Sequence, residues 1–223
     1  FIIFLPLLGA FIAGFFGNKF DQKYSQFITS VFVSVSSILS IIIFLKVLNF
    51  GYSNNVLISS WINSGTLNVN WSIKVDALSS LMMVVVTLVS ALVHIYSIGY
   101  MSHDPHKPRF MSYLSLFTFA MLVLVTSDNF LQLFFGWEGV GLCSYFLIGF
   151  WFKKKAANAA AIKAFVVNRV GDFGFALGIF LIFYYFGTVN YDDVFNQIQT
   201  LNEKNINFIG FNLKSIDLIC ILL

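Results

Sequence analysis

Gly136-Trp137-Glu138-Gly139-Val140-Gly141 places a carboxylate in the middle of an apolar segment that runs from about Asn129 to Phe150. This segment is long enough to cross the roughly 30 Å hydrocarbon core of a bilayer. Glu138 falls about nine residues into the segment, or roughly 14 Å along a helix, which is near the middle of a membrane. A charge at that depth costs about 2.5–3.5 kcal/mol, so an acid there indicates a functional site with a partner nearby. The alternative is a buried acid that is paired only for stability.

The next apolar segment supplies candidate partners for this acid, Arg169 and Asp172. These residues are three positions apart, so they can pair on one face of a helix, and pairing alone would be structural. Gly174 and Gly178 form a GxxxG pattern that lets another helix approach closely. We therefore predict Glu138, Arg169 and Asp172 as the functional residues, because buried ionisable groups on adjacent helices are the material of a proton or ion pathway.

Composition excludes a soluble domain. Hydrophobic residues make up 58% of the chain and charged residues only 10%, with a mean hydropathy of +0.84, whereas soluble domains average about 25% charged. The net charge of +3 is spread over short loops rather than gathered on one face, which indicates membrane topology and not nucleic acid binding. The chain is therefore predicted to be a membrane protein with several spans.

Cofactor motifs are not apparent in the sequence. Cys143 and Cys220 lie inside apolar segments without a CxxC neighbour, so neither an iron–sulfur cluster, a zinc site nor a disulfide framework is indicated. The glycines of Gly136–Gly141 differ in order from the nucleotide-binding GxGxxG pattern, and no strand precedes them. With three histidines in the chain, no pair sits on facing spans to hold a haem. We expect no redox centre, bound cofactor or metal here.

Apolar runs predict an all-α polytopic membrane protein with about six complete transmembrane helices and the start of a seventh. The first run lacks the preceding basic region and the small-residue cleavage site of a signal peptide, so a membrane span is favoured. Gly9, Ala13 and Gly17 recur every four residues and predict close helix packing there. The chain begins with Phe and stops inside an apolar run, so we expect it to be a piece of a longer protein. The predicted spans are about 1–17, 27–48, 76–98, 110–126, 129–150, 161–187 and 215–223 onward.

Polar residues interrupt the stretch 49–74, and alternation over Thr66–Trp71 predicts a small hairpin outside the membrane after the second span. Trp61 and Trp71 stand where interfacial aromatic residues are usual. Two acids precede spans and are interpreted as helix N-caps: Asp76 on the third span and Asp128 on the fifth. Residues 188–214 are predicted to form a polar loop.

The sequence does not decide the roles of several histidines and lysines. His94 lies inside the third span, where it could relay protons or be a hydrogen-bonded packing residue, and the sequence does not separate these roles. His103 and His106 have a spacing that would suit a metal on a helix, but two nearby prolines favour a solvated loop. The role of Lys163, at the entrance of the sixth span, also stays open. The run Lys153–Lys155 is interpreted as a membrane-surface topology signal rather than a binding site.

Loop charges predict the orientation. Loops after the first, third and fifth spans carry seven basic residues against three in the other loops. The positive-inside rule therefore places the first set on the matrix or cytoplasmic side and the amino terminus on the intermembrane-space or periplasmic side. The seven are Lys19, Lys23, Lys107, Arg109, Lys153, Lys154 and Lys155.

Three long runs carry a resemblance to a known family. They are Tyr100–Phe110 (YMSHDPHKPRF), Asp128–Leu142 (DNFLQLFFGWEGVGL) and Ala161–Gly174 (AIKAFVVNRVGDFG). These runs closely resemble the amino-terminal part of the chain 5 family of respiratory complex I, NADH:ubiquinone oxidoreductase. The large subunits of Mrp-type cation/proton antiporters share the glutamate and the NRVGD element and are the alternative. The loop sequence DPHKPRF favours complex I.

The resemblance implies an antiporter-like helix bundle with inverted repeats and broken helices, acting as a proton-translocating subunit driven by quinone reduction elsewhere in the complex. In that family the fifth-helix glutamate faces a lysine on the seventh helix. Glu138 matches that glutamate, and the lysine is expected just beyond Leu223. Arg169 and Asp172 match a charged element of the sixth helix, with an implied supporting role in proton entry or subunit contact. Other membrane-arm subunits, the rest of chain 5 and the lipid bilayer are the implied partners.

A third hypothesis is a structural helical scaffold whose charges only hold helices together. The frequent Phe, Ile, Asn and Lys residues indicate an AT-rich genome, which favours a mitochondrial inner membrane over a bacterial plasma membrane.

Overall fold

The computed structural model describes residues 1–17, 19, 22–198, 205–208 and 211–223. Helices dominate the described part, and four short strands form two hairpins. The strands are β1 (Asn54–Ser64), β2 (Leu67–Val75), β3 (Asn205–Phe208) and β4 (Phe211–Lys214). The helices are α1 (Phe4–Phe11), which continues as a π-helical turn over Ile12–Phe16, then α2 (Gln22–Phe50), α3 (Ala77–Tyr100), α4 (Lys107–Val125), α5 (Phe130–Ile148), α6 (Lys155–Phe186), α7 (Tyr191–Gln197) and α8 (Ser215–Leu222).

The predicted all-α membrane fold is confirmed. Helices α2 to α6 are five candidate membrane spans, long and apolar enough to cross a bilayer. The predicted first span is shorter than expected, because its 8 α-helical and 5 π-helical residues reach only roughly 20 Å. Helix α2 begins at Gln22, before the predicted second span of about 27–48, and its first turns include the buried residues Ser25 and Gln26. The predicted start of a seventh span coincides with α8.

Small residues allow the helices to pack closely. An added Cβ on Gly9 of α1 would contact Thr29 of α2, and one on Gly17 would lie 2.4 Å from the Cβ of Pro108 at the start of α4. Gly136 of α5 is held equally tightly, because an added Cβ would lie 2.7 Å from backbone atoms of Leu124 in α4. These contacts confirm the small-residue packing predicted for the first helix.

The GxxxG pattern of α6 is a contact surface, as predicted. An added Cβ on Gly174 would lie 3.5 Å from the carbonyl oxygen of Leu222. One on Gly178 would lie 3.1 Å from the side chain of Leu223. Gly174 and Gly178 therefore face the carboxyl-terminal helix α8, while α6 also packs against α5.

The predicted extramembrane hairpin is formed by β1 and β2, which pair antiparallel with Ser64 opposite Leu67. Gly65 in the turn has a φ of +59°, a conformation that favours glycine. The rings of Trp61 and Trp71 meet edge to face, and both contact the ring of Phe135 on α5 in the same way. The hairpin is thus anchored on the helix that carries Glu138.

Helix caps agree with the prediction at one of the two positions. Asp76 accepts a hydrogen bond from the Ser79 N–H at 2.7 Å, and Ser79 accepts one from the Asp76 N–H, so a capping box starts α3. The prediction for Asp128 was wrong. Asn129, in an extended conformation, is the residue directly before α5, and its side-chain oxygen accepts from the Gln132 N–H at 2.8 Å. Asp128 lies one residue too early and instead accepts hydrogen bonds from Asn55 and Ser72.

Of two predicted loops, one is a loop in the structure and the other contains secondary structure. His103 and His106 lie between α3 and α4 as expected, with Pro108 in the first turn of α4. The stretch 188–214 is more structured than a polar loop, since it contains α7 and the hairpin of β3 and β4. Helix α7 carries Asp192 and Asp193 in its first turn, where negative charges are stabilised by the positive end of the helix dipole.

Helices α2 to α6 alternate in direction, which gathers the basic loops at one end of the bundle. At that end Gln22 donates to the Pro105 carbonyl, and Trp151 donates from Nε1 to Asp104 at 3.0 Å. The β1–β2 hairpin and Asp128 lie at the other end. The chain therefore has a basic end and a hairpin end.

Candidate functional site

Helix α5 carries Glu138 close to its middle. The helix starts at its Asn129 cap and packs through Gly136 and Gly139 against α4, which leaves the Glu138 side directed towards α6. An added Cβ on Gly141, one turn along, would meet nothing within 4 Å, so there is open space beside the acid.

An ion pair joins Glu138 to α6. The Arg169 Nη1 atom lies 2.5 Å from the Glu138 Oε1 atom. The same Nη1 atom lies 3.8 Å from Oδ2 of Asp172, one turn further along α6. A single guanidinium is thus shared by two carboxylates on two helices, with the closer contact to Glu138.

Asp172 has a second partner that comes from α5. The indole Nε1–H of Trp137 donates to the Asp172 Oδ1 atom at 2.8 Å. Asp172 is only 7% exposed, and the Trp137 ring meets the Phe175 ring edge to face at 6.0 Å. Each oxygen of the Asp172 carboxylate therefore faces a different donor, Trp137 on one side and Arg169 on the other.

The ion pair lies on a face of α5 and α6 that the described residues do not cover. The Arg169 side chain is 49% exposed and the Glu138 side chain 24%. The Arg169 guanidinium also lies 4.8 Å from the centre of the Phe165 ring, whose other neighbour is Tyr145. Because charges facing lipid are costly, we expect protein or water to cover this face.

This arrangement suits proton exchange. A carboxylate in a low-dielectric setting favours its neutral form when it is unpaired and its charged form when a cation is close. Arginine keeps its charge, so in such an exchange the guanidinium would change its partner and would not titrate. Since Arg169 is within reach of both acids, a small side-chain movement changes which of them is paired.

The three residues predicted from the sequence are all brought together. The contact of Trp137 with Asp172 was not predicted, although Trp137 is the direct neighbour of Glu138. The sequence shows that both residues lie in apolar helices, but it does not show the register at which α5 faces α6. No signal in the sequence alone would have given this hydrogen bond.

His94 lies in a separate polar cluster between α3 and α4. It is fully buried, with Nδ1 2.8 Å from the Ser90 carbonyl oxygen and Nε2 2.9 Å from the Ser115 hydroxyl. The Ser90 hydroxyl in turn bonds the Thr118 hydroxyl. This is the geometry of a hydrogen-bonded packing residue, and a role in proton transfer stays a prediction.

Lys163 is exposed, and its role also stays open. Within the described ranges, no group of three or more His, Cys, Asp or Glu residues is placed to hold a metal ion.

A second charged cluster lies at the hairpin end. Lys74 is 2.6 Å from Asp192 and 3.8 Å from Asp128. Burial raises the pKa of Asp128 above its usual value, against the opposing effects of the Ser72 hydrogen bond and the Lys74 charge. Burial also raises the pKa of Tyr191 to about 12. This cluster ties α7 to the hairpin and to the start of α5.

At the basic end, the pKa of Asp104 is shifted in the opposite direction from that of Asp128. Desolvation alone would raise the pKa of Asp104, but it lies below the usual value because hydrogen bonds from the His106 backbone and the Trp151 indole, together with the charges of His106 and Arg109, outweigh that effect. These bonds link the α3–α4 connection to the residues that follow α5.

Two family models match the chain. Residues 61–111 match "NADH-Ubiquinone oxidoreductase (complex I), chain 5 N-terminus". Residues 127–220 match "NADH:quinone oxidoreductase/Mrp antiporter, TM". The second match includes Glu138, Arg169 and Asp172.

Curated relatives are similar over the whole chain. It is 50% identical to NADH-ubiquinone oxidoreductase chain 5 of Chondrus crispus and 51% identical to NADH-quinone oxidoreductase subunit L of Rickettsia conorii. It is 52% identical to NADH-ubiquinone oxidoreductase chain 5 of Arabidopsis thaliana. Each match covers 100% of this chain and 33% of the relative. The chain thus spans about a third of the length of these relatives.

Two solved structures show the same fold. The Mrp complex from Dietzia sp. aligns with a TM-score of 0.79 at 17% identity, over 99% of this chain and 22% of that one. The archaeal membrane-bound sulfane sulfur reductase aligns with a TM-score of 0.75 at 18% identity, over 86% and 38%. At these identities the likeness supports an antiporter-like helix bundle and no particular activity.

Proposed function

The chain belongs to the family of NADH-ubiquinone oxidoreductase chain 5 and NADH-quinone oxidoreductase subunit L, whose amino-terminal region it matches, and we propose that it is part of a proton-translocating subunit of respiratory complex I. In this role it belongs to an NADH:ubiquinone reductase, and NADH and the quinone are handled by other subunits. The chain itself contributes buried charges to the proton route.

The shared guanidinium of Arg169 is the observation that carries this proposal. It joins Glu138 and Asp172 on two apolar helices at membrane depth, 2.5 Å from one and 3.8 Å from the other. A structural ion pair needs one cation and one acid, whereas this cluster has a surplus carboxylate. A surplus carboxylate at this depth can accept and release a proton whenever the guanidinium changes partner.

The proposed cycle has two states. When Arg169 pairs with Glu138, the Glu138 carboxylate is stabilised in its charged form. When the guanidinium moves to Asp172, Glu138 loses its cation and takes up a proton. A second cation on a further helix, as the resemblance implies, would complete the exchange and drive proton release on the other side.

The proposed partners are the rest of chain 5 and other subunits of the membrane arm. They would cover the α5–α6 face on which Arg169 is half exposed. The proposed location is the mitochondrial inner membrane, or a bacterial plasma membrane as the alternative, and relatives from both sources are found. The basic end of the bundle would face the matrix or cytoplasm, and the amino terminus the other side.

The alternative function is that of a large subunit of an Mrp-type cation/proton antiporter. Its support is the second family model, which covers both groups, and the fold shared with an Mrp complex. The two functions differ in one measurable property. An assembly that oxidises NADH when purified supports complex I, and one that exchanges cations for protons without NADH oxidation supports the antiporter.

The test of the proposal is Glu138→Gln in the assembled complex. Glutamine retains most of the shape and can still accept a hydrogen bond from Arg169, but it cannot exchange a proton. NADH-driven proton pumping and NADH oxidation are measured together in vesicles, with assembly checked on a native gel. Asp193→Asn, which removes an acid outside the spans, is the matched control.

We expect the Glu138→Gln complex to assemble and to pump several-fold less, with the control unchanged. Normal pumping by a well-assembled variant would refute the proposed role of Glu138. Failure to assemble, with the control assembled, would favour the scaffold hypothesis.

A further inference from the structure

Trp137 has an unusual position beside the ion pair. Its ring is 50% exposed on α5, yet its indole N–H is turned inward and donates to Asp172 on α6 at 2.8 Å. The edge-to-face contact with Phe175, one turn beyond Asp172, fixes the plane of the indole. Trp137 therefore presents its N–H to one carboxylate oxygen in a defined direction.

That hydrogen bond occupies one of the two carboxylate oxygens of Asp172, so only the other faces Arg169. Asp172 Oδ1 is taken by the indole, and Oδ2 lies 3.8 Å from Arg169 Nη1, beyond hydrogen-bond distance. The same Nη1 atom is within hydrogen-bond distance of Glu138. Trp137 and Arg169 are thus two donors at one carboxylate, and the closer donor is the indole.

We propose that Trp137 is a positioning residue whose indole N–H holds the Asp172 carboxylate and thereby leaves the Arg169 guanidinium to Glu138. This inference rests on the proposed function and deepens it, because it names the group that sets which acid is paired. Trp137 exchanges no proton itself.

The physical basis is competition for a single cation. Asp172 and Arg169 are three residues apart on α6, so they can form a full ion pair by side-chain rotation alone. A hydrogen bond to a carboxylate is stronger than one between neutral groups, and in a low-dielectric interior an unsatisfied carboxylate is costly. Without the indole N–H, Asp172 would satisfy that need by drawing Arg169 away from Glu138.

The experiment removes the N–H and keeps the ring. Trp137→Phe is made in the full complex, together with a second variant in which benzothienylalanine replaces Trp137, so that sulfur stands where the N–H was and the shape is nearly kept. The measured signal is the infrared C=O band of protonated Glu138 at one fixed pH, identified by its loss in Glu138→Gln. Proton pumping per NADH oxidised is measured on the same vesicles.

We expect both variants to assemble. The infrared band of protonated Glu138 should grow several-fold, because Glu138 loses its cation to Asp172, and pumping should fall. The matched control is Trp151→Phe, which loses the same kind of indole bond to Asp104 at the basic end. That variant should leave the Glu138 band unchanged.

A double variant shows whether Trp137 acts through Asp172. In an Asp172→Asn background the neutral amide no longer competes for Arg169, so adding Trp137→Phe should change neither the band nor pumping further. An equal effect of Trp137→Phe in both backgrounds would overturn the proposal.

Two other results would also overturn it: an unchanged Glu138 band in both Trp137 variants, or failure of the nearly isosteric variant to assemble, which would make the bond structural. The proposed function fails by a different result, normal pumping in Glu138→Gln. In that event the infrared band would still report whether Trp137 directs Arg169.

Discussion

Arg169 shows how the identity of one side chain sets what the cluster can do. Its guanidinium presents several N–H groups in a fixed plane, so it can serve two acceptors at once, whereas a lysine ammonium is a compact point charge. Here the Nη1 atom is within hydrogen-bond distance of Glu138 and 3.8 Å from Asp172, so the guanidinium bonds one acid and keeps the other within reach. We therefore expect an arginine to serve this cluster better than a lysine, whose pKa shifts readily when it is buried.

Arg169→Lys should assemble but pump several-fold less, because an ammonium in an apolar setting can lose its proton, whereas the guanidinium stays charged. Arg169→Gln should lower pumping further, since both carboxylates lose their cation. NADH-driven proton uptake in vesicles measures both effects, and Lys153→Gln at the basic end serves as the control for charge removal. Wild-type pumping by Arg169→Gln would contradict a role for the shared guanidinium.

Asp172→Asn should have a smaller effect on pumping than Glu138→Gln. The asparagine oxygen can still accept the Trp137 N–H, so the contact between α5 and α6 is retained. Loss of the Asp172 charge leaves Arg169 with Glu138 alone, which biases the exchange without removing the group that carries the proton. Pumping rates of the two variants at matched assembly levels decide the order, and a larger loss in Asp172→Asn would reverse the assigned roles.

At the candidate site, the sequence predicted three of the residues that the structure brings together and did not predict the fourth. Glu138, Arg169 and Asp172 were found because charges in apolar segments are costly and must have partners. Trp137 gave no such signal, since a tryptophan in an apolar helix is ordinary. Its contact with Asp172 comes from the rotation of α5 against α6, which depends on packing at Gly136 and on other helices rather than on local pattern.

Among the elements, the start of α5 shows how the hairpin and the helix stabilise each other. Asn129 caps α5 through its side-chain oxygen and also donates from Nδ2 to the Asn70 carbonyl of β2 at 2.9 Å. Gln132 exchanges two further hydrogen bonds with the Ser72 backbone. The strand and the first turn of the helix are therefore one hydrogen-bonded unit.

Asn129→Ala should destabilise this unit by about 1 kcal/mol for the lost cap, and by somewhat more because the Asn70 carbonyl also loses a donor. Hydrogen exchange of β2 and of the first turn of α5 in the assembled complex measures the loss. Asn63→Ala, an exposed change on β1, is the control and should leave protection unchanged. Equal protection in Asn129→Ala and wild type would show that the cap carries little of this stability.

The partly buried acid Asp128, at the hairpin end, predicts a pH dependence. Because burial raises the pKa of Asp128, the folded state favours its neutral form, and its contribution to stability is fully present below the unfolded value of about 3.9. That contribution is lost as the pH rises through the higher folded value. Asp128→Asn keeps a neutral acceptor at all pH values, so its stability relative to wild type should increase with pH.

Hydrogen exchange of β2 at pH 4 and at pH 7 tests this, with variant and wild type compared at the same pH. The ratio of protection in Asp128→Asn to that in wild type should be higher at pH 7. The same ratio at both values would mean that the Lys74 charge offsets the burial of Asp128 completely.

On the scale of the whole molecule, apolar run length predicted the fold class and the five long helices, and the alternation of polar and apolar residues predicted the first hairpin. Sequence patterns were less successful for the short helices and strands. The helix before α2 is too short for a full span, and the stretch after α6 contains a helix and a hairpin whose polar sequences resemble a loop. Short elements of this kind depend on tertiary contacts, such as the bond of the Tyr191 hydroxyl to Ser127, that no local pattern encodes.

The two ends of the bundle also predict its orientation. The structure gathers the α3–α4 and α5–α6 connections at one end through the bond between Trp151 and Asp104, and the β1–β2 hairpin at the other. Since the basic residues belong to the first end, it should face the matrix or cytoplasm. A single cysteine at Lys154 should then be protected from an impermeant maleimide applied from the intermembrane-space or periplasmic side, whereas one at Asn63 should react.

This labelling is done in the assembled complex after Cys143→Ser and Cys220→Ser, which remove the two native thiols. Detergent provides the control, because both engineered cysteines are exposed on the chain and should react once the membrane is opened. An Asn63 cysteine that stays unreactive after opening would mean that another subunit covers the hairpin. Labelling of the Lys154 cysteine from the outer side would reverse the orientation, and the basic end would then face the compartment into which protons are released.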